Sequence, residues 1–176
     1  GELIWVWQIP LFAALWFGDA PGPRWRRGMA LGYVSGLTFF LINLSWLIEL
    51  RHVAGTVWAG LGAWFALAAY VALYFGLWGA FAATVARWLP TPTEKPKKSA
   101  VPGADLFGPS VAVIRAAALG GAAWCGLEWL RGIAFTGFGW NGLGVALHEN
   151  LYLIQIADLI GVTGLSFVIV FCNAVW

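Results

Sequence analysis

The chain has 176 residues, 61% of them hydrophobic and only 10% charged, with a mean hydropathy of +0.78. A soluble domain carries about 25% charged residues, so this chain cannot cover its own surface with polar groups. The formal net charge of +2 is too small to point to nucleic acid.

These limits predict an all-α fold, a polytopic transmembrane helix bundle of about five spans. A span needs about 20 apolar residues to cross about 30 Å of hydrocarbon. The first apolar run is residues 3–17, and a turn-rich basic loop at 18–27 follows it. The second span is expected at 28–48, with Glu49, Arg51 and His52 in the loop after it. The run from Val53 to Leu89 is too long for one upright crossing. It reads as a short Gly-rich lead-in around Gly55 to Gly62, lying at the interface, then a span at 63–88. A solvated loop at 89–109 holds Lys95, Lys97 and Lys98, and a fourth span occupies 110–130. A loop rich in Gly and aromatics fills 131–150, and the last span runs 151–176. Helices are expected throughout, because lipid cannot hydrogen-bond the backbone and the ten-residue alternation of a barrel is missing. The chain opens inside one apolar run and stops inside another, which reads as a piece of a longer protein.

Seven basic residues (Arg24, Arg26, Arg27, Arg87, Lys95, Lys97, Lys98) fall on one set of alternate loops and two (Arg51, Arg131) on the other. The positive-inside rule makes loops 18–27 and 89–109 cytoplasmic, and loops 49–62 and 131–150 periplasmic. Of 13 Trp, a set near run ends (Trp5, Trp7, Trp16, Trp25, Trp46, Trp58, Trp88, Trp129, Trp140) reads as interface anchors. Gly28, Gly32 and Gly36 form a small-xxx-small series suited to close helix packing; Gly120, Gly121, Gly126, Gly161 and Gly164 are read likewise.

Ionisable groups inside apolar runs raise a functional question by default. Glu128 and Arg131 stand three apart on one helix face near the outer boundary, and either pair structurally or meet a substrate. Asp158 and Gln155, read as about 10 Å into the last span, either bond between helices or line a wet or lipid-accessible cavity. Arg115 can snorkel to headgroups at the inner end of its span. Asn43 and Ser45 are expected to cross-link helices. Cys125 and Cys172 lie at depths of about 10 and about 30 Å, too far apart to bridge, and no His or Lys neighbours either to activate it. His52 and His148 are isolated, so no metal site and no cofactor are expected. Phe138 and Trp140, in the glycine-aromatic loop 135–144, are read as wedges into the outer leaflet, or as a plain interfacial turn.

At this loop the sequence resembles the apolipoprotein N-acyltransferase family. The resemblance is carried by Glu128-Trp129-Leu130-Arg131, Thr136-Gly137-Phe138-Gly139-Trp140-Asn141 and Leu143-Gly144. It continues in Gln155-Ile156-Ala157-Asp158, Gly161-Val162, Gly164-Leu165-Ser166-Phe167 and Asn173. Upstream, Gly32 to Trp46, with Gly36, Phe39 and Phe40, matches an earlier family span, and Pro10 and the Arg-rich turn before Gly28 also fit. One departure is Gly139, where the family usually has Pro.

The resemblance implies a bacterial inner-membrane enzyme that moves an acyl chain from a phospholipid donor to the α-amino group of a lipoprotein's diacylglyceryl-cysteine. A Glu–Lys–Cys set in a periplasmic nitrilase-like domain would form a thioester, and no catalytic residue is expected within these 176 residues. The part left to this chain is a lipid path using Phe138, Trp140, Asn141, Glu128, Arg131 and Asp158, with membrane lipids as its surroundings. The alternative is a transporter or channel component, favoured by paired broken helices and an internal repeat. A purely structural anchor is the third reading.

Overall fold

The computed structural model describes residue 6 and residues 8–17, 22–89, 111–135 and 137–175. The lysine-bearing loop, Trp5, Trp7, Thr136 and the start of the first expected span lie outside the described residues. All regular structure among the described residues is helical. It comprises α1 (Ile9–Phe17), α2 (Arg24–Asn43), α3 (Arg51–Ala54), α4 (Val57–Val85), α5 (Val111–Ile133), α6 (Leu151–Ile154) and α7 (Ala157–Val175). Short 3-10 turns occupy Ser45–Leu50, Ala86–Trp88 and Leu143–Leu147.

Helices α4, α5 and α7 are long and apolar enough to cross a bilayer; α2 with the segment after it makes a fourth candidate, bent by 51°. The described part of α1 is nine residues, below the length of a crossing, so three to four of the five expected spans are met by length and composition.

Two boundaries differ from expectation. Helix α2 starts at Arg24, so the three arginines occupy its first turn rather than a loop. Cations there oppose the helix dipole. The structure offsets this locally: Arg26 lies 5.3 Å from the Trp25 ring centroid, and Arg27 donates to the Ala14 carbonyl at 2.6 Å, tying α1 to α2. At α4 the expected lead-in around Gly55 to Gly62 is instead mostly helix. Gly55 (φ +73°) ends α3, and the Thr56 hydroxyl accepts the Ala59 N–H at 3.2 Å. From Val57 the helix then runs 29 residues, about 44 Å. Gly60 costs it little, because the site is packed: a Cβ there would come 2.7 Å from the Ile48 carbonyl oxygen.

The tightest seam joins α2 to α4. Gly28, Gly32 and Gly36 are all buried on α2. A Cβ on Gly28 would strike the backbone oxygen of Gly79, one on Gly32 that of Phe75, and one on Gly79 that of Gly28. The i, i+4 glycines thus set two backbones against each other, as small-xxx-small packing requires. The other glycines divide. Gly121 abuts the Phe167 ring and Gly164 the Ile160 side chain, while a Cβ at Gly120 or Gly126 would meet nothing within 4 Å.

The core beside this seam is a string of edge-to-face aromatics. Phe12 meets Trp78 at 5.2 Å, Trp78 meets Trp124 at 5.2 Å, Trp124 meets Phe75 at 4.9 Å, and Phe75 meets Phe40 at 5.4 Å. Such pairs contribute about 0.5–1.5 kcal/mol each beyond their buried area. Two buried indoles also cross-link helices: Trp78 donates to the Gly120 carbonyl at 3.0 Å and Trp64 to the Leu41 carbonyl at 2.9 Å. Asn43 makes no such link, its Oδ1 being buried without a partner, and Ser45 opens the 3-10 turn where α2 ends. Short polar side chains compete with the helix backbone, which fits a helix end here.

The outer faces are apolar: Ile42, Phe65, Leu73, Leu77 and Ile114 are exposed. Water would penalise that surface, and lipid would not. Trp25, Trp46, Trp58, Trp129 and Trp140 are exposed near helix ends, whereas Trp16 is half-buried against Phe12.

Candidate functional site: the loop-capped end of α5

Gly28 on α2 meets Gly79 late in α4 at one end of the bundle, which also holds Arg24, Arg26, Arg27 and Arg87. At the opposite end Trp46, just past α2, packs 5.6 Å from Trp140, past α5. The glycine-aromatic loop sits at this second end.

Helix α5 closes through a tight turn. The Ala134 N–H donates to the Leu130 carbonyl at 2.8 Å, Gly137 to Ala134 at 2.9 Å, and Phe138 to Arg131 at 2.9 Å. Phe135 (φ 58°) and Gly137 (φ 78°) both adopt left-handed backbone, and a Cβ on Gly137 would strike the Gly132 carbonyl oxygen. Only glycine fits there without strain. The turn sends Phe135 outward, 92% exposed and 5.7 Å from the Tyr70 ring, and brings Phe138 back against the main core. So the wedge reading of Phe138 is corrected: Phe138 packs inward and Phe135 projects. Trp140 is half-exposed, and Asn141 (φ 59°) turns the chain beside it.

Two polar side chains then hold the loop down. The Glu128 carboxylate accepts the Leu143 N–H at 2.7 Å, and the Ser166 hydroxyl of α7 accepts the buried Gly144 N–H at 2.8 Å. A Cβ on Gly144 would strike the Val162 carbonyl oxygen. Leu147 inserts between Leu165 and Ile169, and Asn150 caps α6 by accepting the Leu153 N–H at 3.1 Å. Glu128 thereby closes the loop rather than pairing with Arg131; no ion pair joins them within 4.0 Å among the described residues. Three-residue spacing allowed the pair, but the donor arriving from residue 143 draws one carboxylate oxygen to the loop.

Asp158 is placed differently from expectation. The stretch from 151 is not one continuous helix: α6 stops at Ile154, α7 starts at Ala157, and Gly161 (φ 70°, ψ 172°) breaks the first turns of α7. Asp158 is consequently in an exposed first turn, where a carboxylate suits the helix dipole, and Gln155 is exposed beside it. Neither makes a helix–helix hydrogen bond, and the surrounding apolar residues Leu151, Tyr152 and Leu159 are exposed too.

The residues that sequence reading missed converge on Arg131. Its side chain is only 4% exposed, its guanidinium carbon lies 5.9 Å from the Phe40 ring centroid, and its Nε has no partner. With it a recess is lined by Tyr74, Phe75, Trp78, Trp124, Leu127 and Glu128. The Trp124 indole N–H is likewise buried without a partner. Tyr74 shares a 2.7 Å hydrogen bond with Tyr70 one turn away. Glu128 and Arg131 were the legible members of this recess; the further clue was Tyr70 and Tyr74, two hydroxyls at i, i+4 in a largely apolar helix.

Cys125 and Cys172 are free thiols; the first donates to the Thr163 carbonyl at 3.1 Å across α5 and α7. Asn173 holds the start of α1 through the Gln8 N–H at 3.1 Å. Among the described residues no group of His, Cys, Asp or Glu could hold a metal ion.

Residues 2–175 match the family described as apolipoprotein N-acyltransferase N-terminal domain. The chain belongs to this family. It is 32% identical over 169 residues to the apolipoprotein N-acyltransferase of Bordetella bronchiseptica, covering 95% of this chain and 28% of that protein. It is 35% identical over 161 residues to that of Ralstonia nicotianae, covering 91% and 27%. A stretch of 43 residues, 24% of this chain and 8% of the relative, is 58% identical to that of Bradyrhizobium diazoefficiens. The chain therefore spans less than a third of the length of these curated relatives. No solved structure matches it. Apolar helices and a bacterial acyltransferase family together make it part of a bacterial membrane protein.

Proposed function

We propose that this chain is the membrane portion of an apolipoprotein N-acyltransferase and that it brings lipid substrates to the periplasmic side of the inner membrane. There, a part of the protein outside these 176 residues moves an acyl chain from a phospholipid to the N-terminal diacylglyceryl-cysteine of a lipoprotein. The family match over residues 2–175 is the observation that carries the reading. The geometry supports it at one point. Two of the blocks that carry the family resemblance, around Glu128–Gly144 and Gln155–Asn173, are joined by the Gly144–Ser166 hydrogen bond, and the Glu128–Leu143 bond closes the first of them over the end of α5. Exposed Phe135, Trp140, Leu151, Tyr152 and Leu159 give that end the apolar surface a lipid tail would follow.

A transport role would favour two matching broken helices near mid-membrane. The break inside α7 is at Gly161, its fifth residue.

The test is acyl transfer by the complete protein in vesicles, with a diacylated lipopeptide as acceptor. Trp140→Ala and Glu128→Ala are expected to lower transfer more than they lower the amount of folded protein. Unchanged turnover in both would take this end of the bundle out of the substrate path.

A further inference from the structure

Arg131 has donors that nothing in the described chain accepts. Its Nε is buried without a partner; the nearest carboxylate, Glu128, lines the same recess but turns its Oε1 to the Leu143 N–H and makes no ion pair with Arg131 within 4.0 Å. The ring of Phe40 covers one face of the guanidinium, an attraction that supplies no hydrogen-bond acceptor. A buried cation without a hydrogen-bonded partner costs several kcal/mol unless an anion meets it. A second orphan donor, the Trp124 indole N–H, belongs to the same recess, two turns deeper on α5. The recess has about 240 Å³ of atom-free space, counting the part that opens to its surroundings. Within it there is room for about one water-sized oxygen atom. Apart from Glu128, Arg131 and the Tyr74 hydroxyl, its lining is Phe75, Trp78, Trp124 and Leu127, all apolar in body.

We propose that this recess is an oxyanion site, and that its occupant is the phosphodiester of a membrane lipid, one oxygen entering toward Arg131 while the rest of the headgroup stays at the mouth. A planar guanidinium matches phosphate better than any other side chain does. The source is a lipid rather than free phosphate because the helices flanking the recess expose Leu73, Leu77 and Leu130, a surface for acyl chains and not for a hydrated ion. The inference rests on the lipid-handling role proposed above and adds the residue that holds the headgroup.

The experiment measures lipid retained by the purified complete protein after detergent stripping, read by native mass spectrometry. Three probes are offered: phosphatidylglycerol, a diglucosyl diacylglycerol with the same tails, and inorganic phosphate. Wild type is expected to keep phosphatidylglycerol and release the glycolipid. Arg131→Gln should weaken phosphatidylglycerol retention roughly tenfold or more, with Arg131→Lys intermediate. Equal retention of both lipids, or equal retention by wild type and Arg131→Gln, overturns the site. Displacement of the lipid by inorganic phosphate at matched concentration overturns the lipid as source. Should Arg131→Gln not fold, Leu127→Trp fills the recess and leaves the cation in place; it must lower retention comparably, and unchanged retention overturns the site. Acyl transfer separates the two readings. Transfer with no Arg131-dependent retention removes this site and leaves the acyltransferase role, whereas Arg131-dependent retention without transfer removes the role and leaves the site.

Discussion

The α2–α4 seam and the loop-capped end of α5 are built on opposite principles. Along the seam, Gly28, Gly32 and Gly79 set backbone against backbone, and Gly36 leaves room for the Phe75 side chain. At the capped end, single hydrogen bonds accepted by Glu128 and Ser166 pin a partly exposed loop, and buried donors on Arg131 and Trp124 lack partners. Close packing without hydrogen-bond partners is how a membrane helix pair gains stability where lipid competes for every apolar contact. A lightly pinned loop over unsatisfied donors is a poor way to gain stability and a good way to keep a site open. With the proposed function, stability and substrate handling would sit at separate places in one small bundle.

That division can be broken by substitution, with effects of decreasing size. Gly32→Val puts a branched side chain onto the Phe75 carbonyl and should cost about 3 kcal/mol or more, the upper range for overpacking. The check is a fall in helix content and in the amount of protein recovered folded from membranes. Ser166→Ala leaves the buried Gly144 N–H unsatisfied and should cost about 1–3 kcal/mol. Hydrogen exchange should quicken at residues 143–147 while the α2–α4 seam stays protected; uniform loosening would mean that the two regions are one cooperative unit. Glu128→Gln keeps an oxygen for the Leu143 N–H and should cost at most about 1 kcal/mol in thermal unfolding. Phe135→Ala should change stability by less than about 0.5 kcal/mol, since the ring is 92% exposed.

The sequence made the seam legible because i, i+4 glycines report helix packing without any knowledge of the partner. Apolar run length likewise located α4, α5 and α7. It failed where local chemistry outweighed hydropathy. Glycines at 60 and 62 argued against a helix, yet Thr56 caps one and Gly60 packs against the 3-10 turn. Asp158 looked deep because Gly161 was read as a packing glycine rather than a break. Phe138 packs inward and Phe135 projects because two left-handed residues reverse the chain there, a geometry no periodicity reveals. The recess was invisible for a different reason: Tyr74, Trp124 and Arg131 meet only once α4 and α5 cross.

The account depends most on which end of the bundle faces out. In a variant with both native thiols replaced by Ala, cysteines at Phe135 and at Trp25 can be reacted with a membrane-impermeant maleimide in intact cells whose outer membrane has been made permeable. Labelling of the Phe135→Cys protein, with the Trp25→Cys protein labelled only after the inner membrane is opened, is the predicted result. The reverse pattern would put the capped end in the cytosol, away from maturing lipoproteins, and contradict the proposed role.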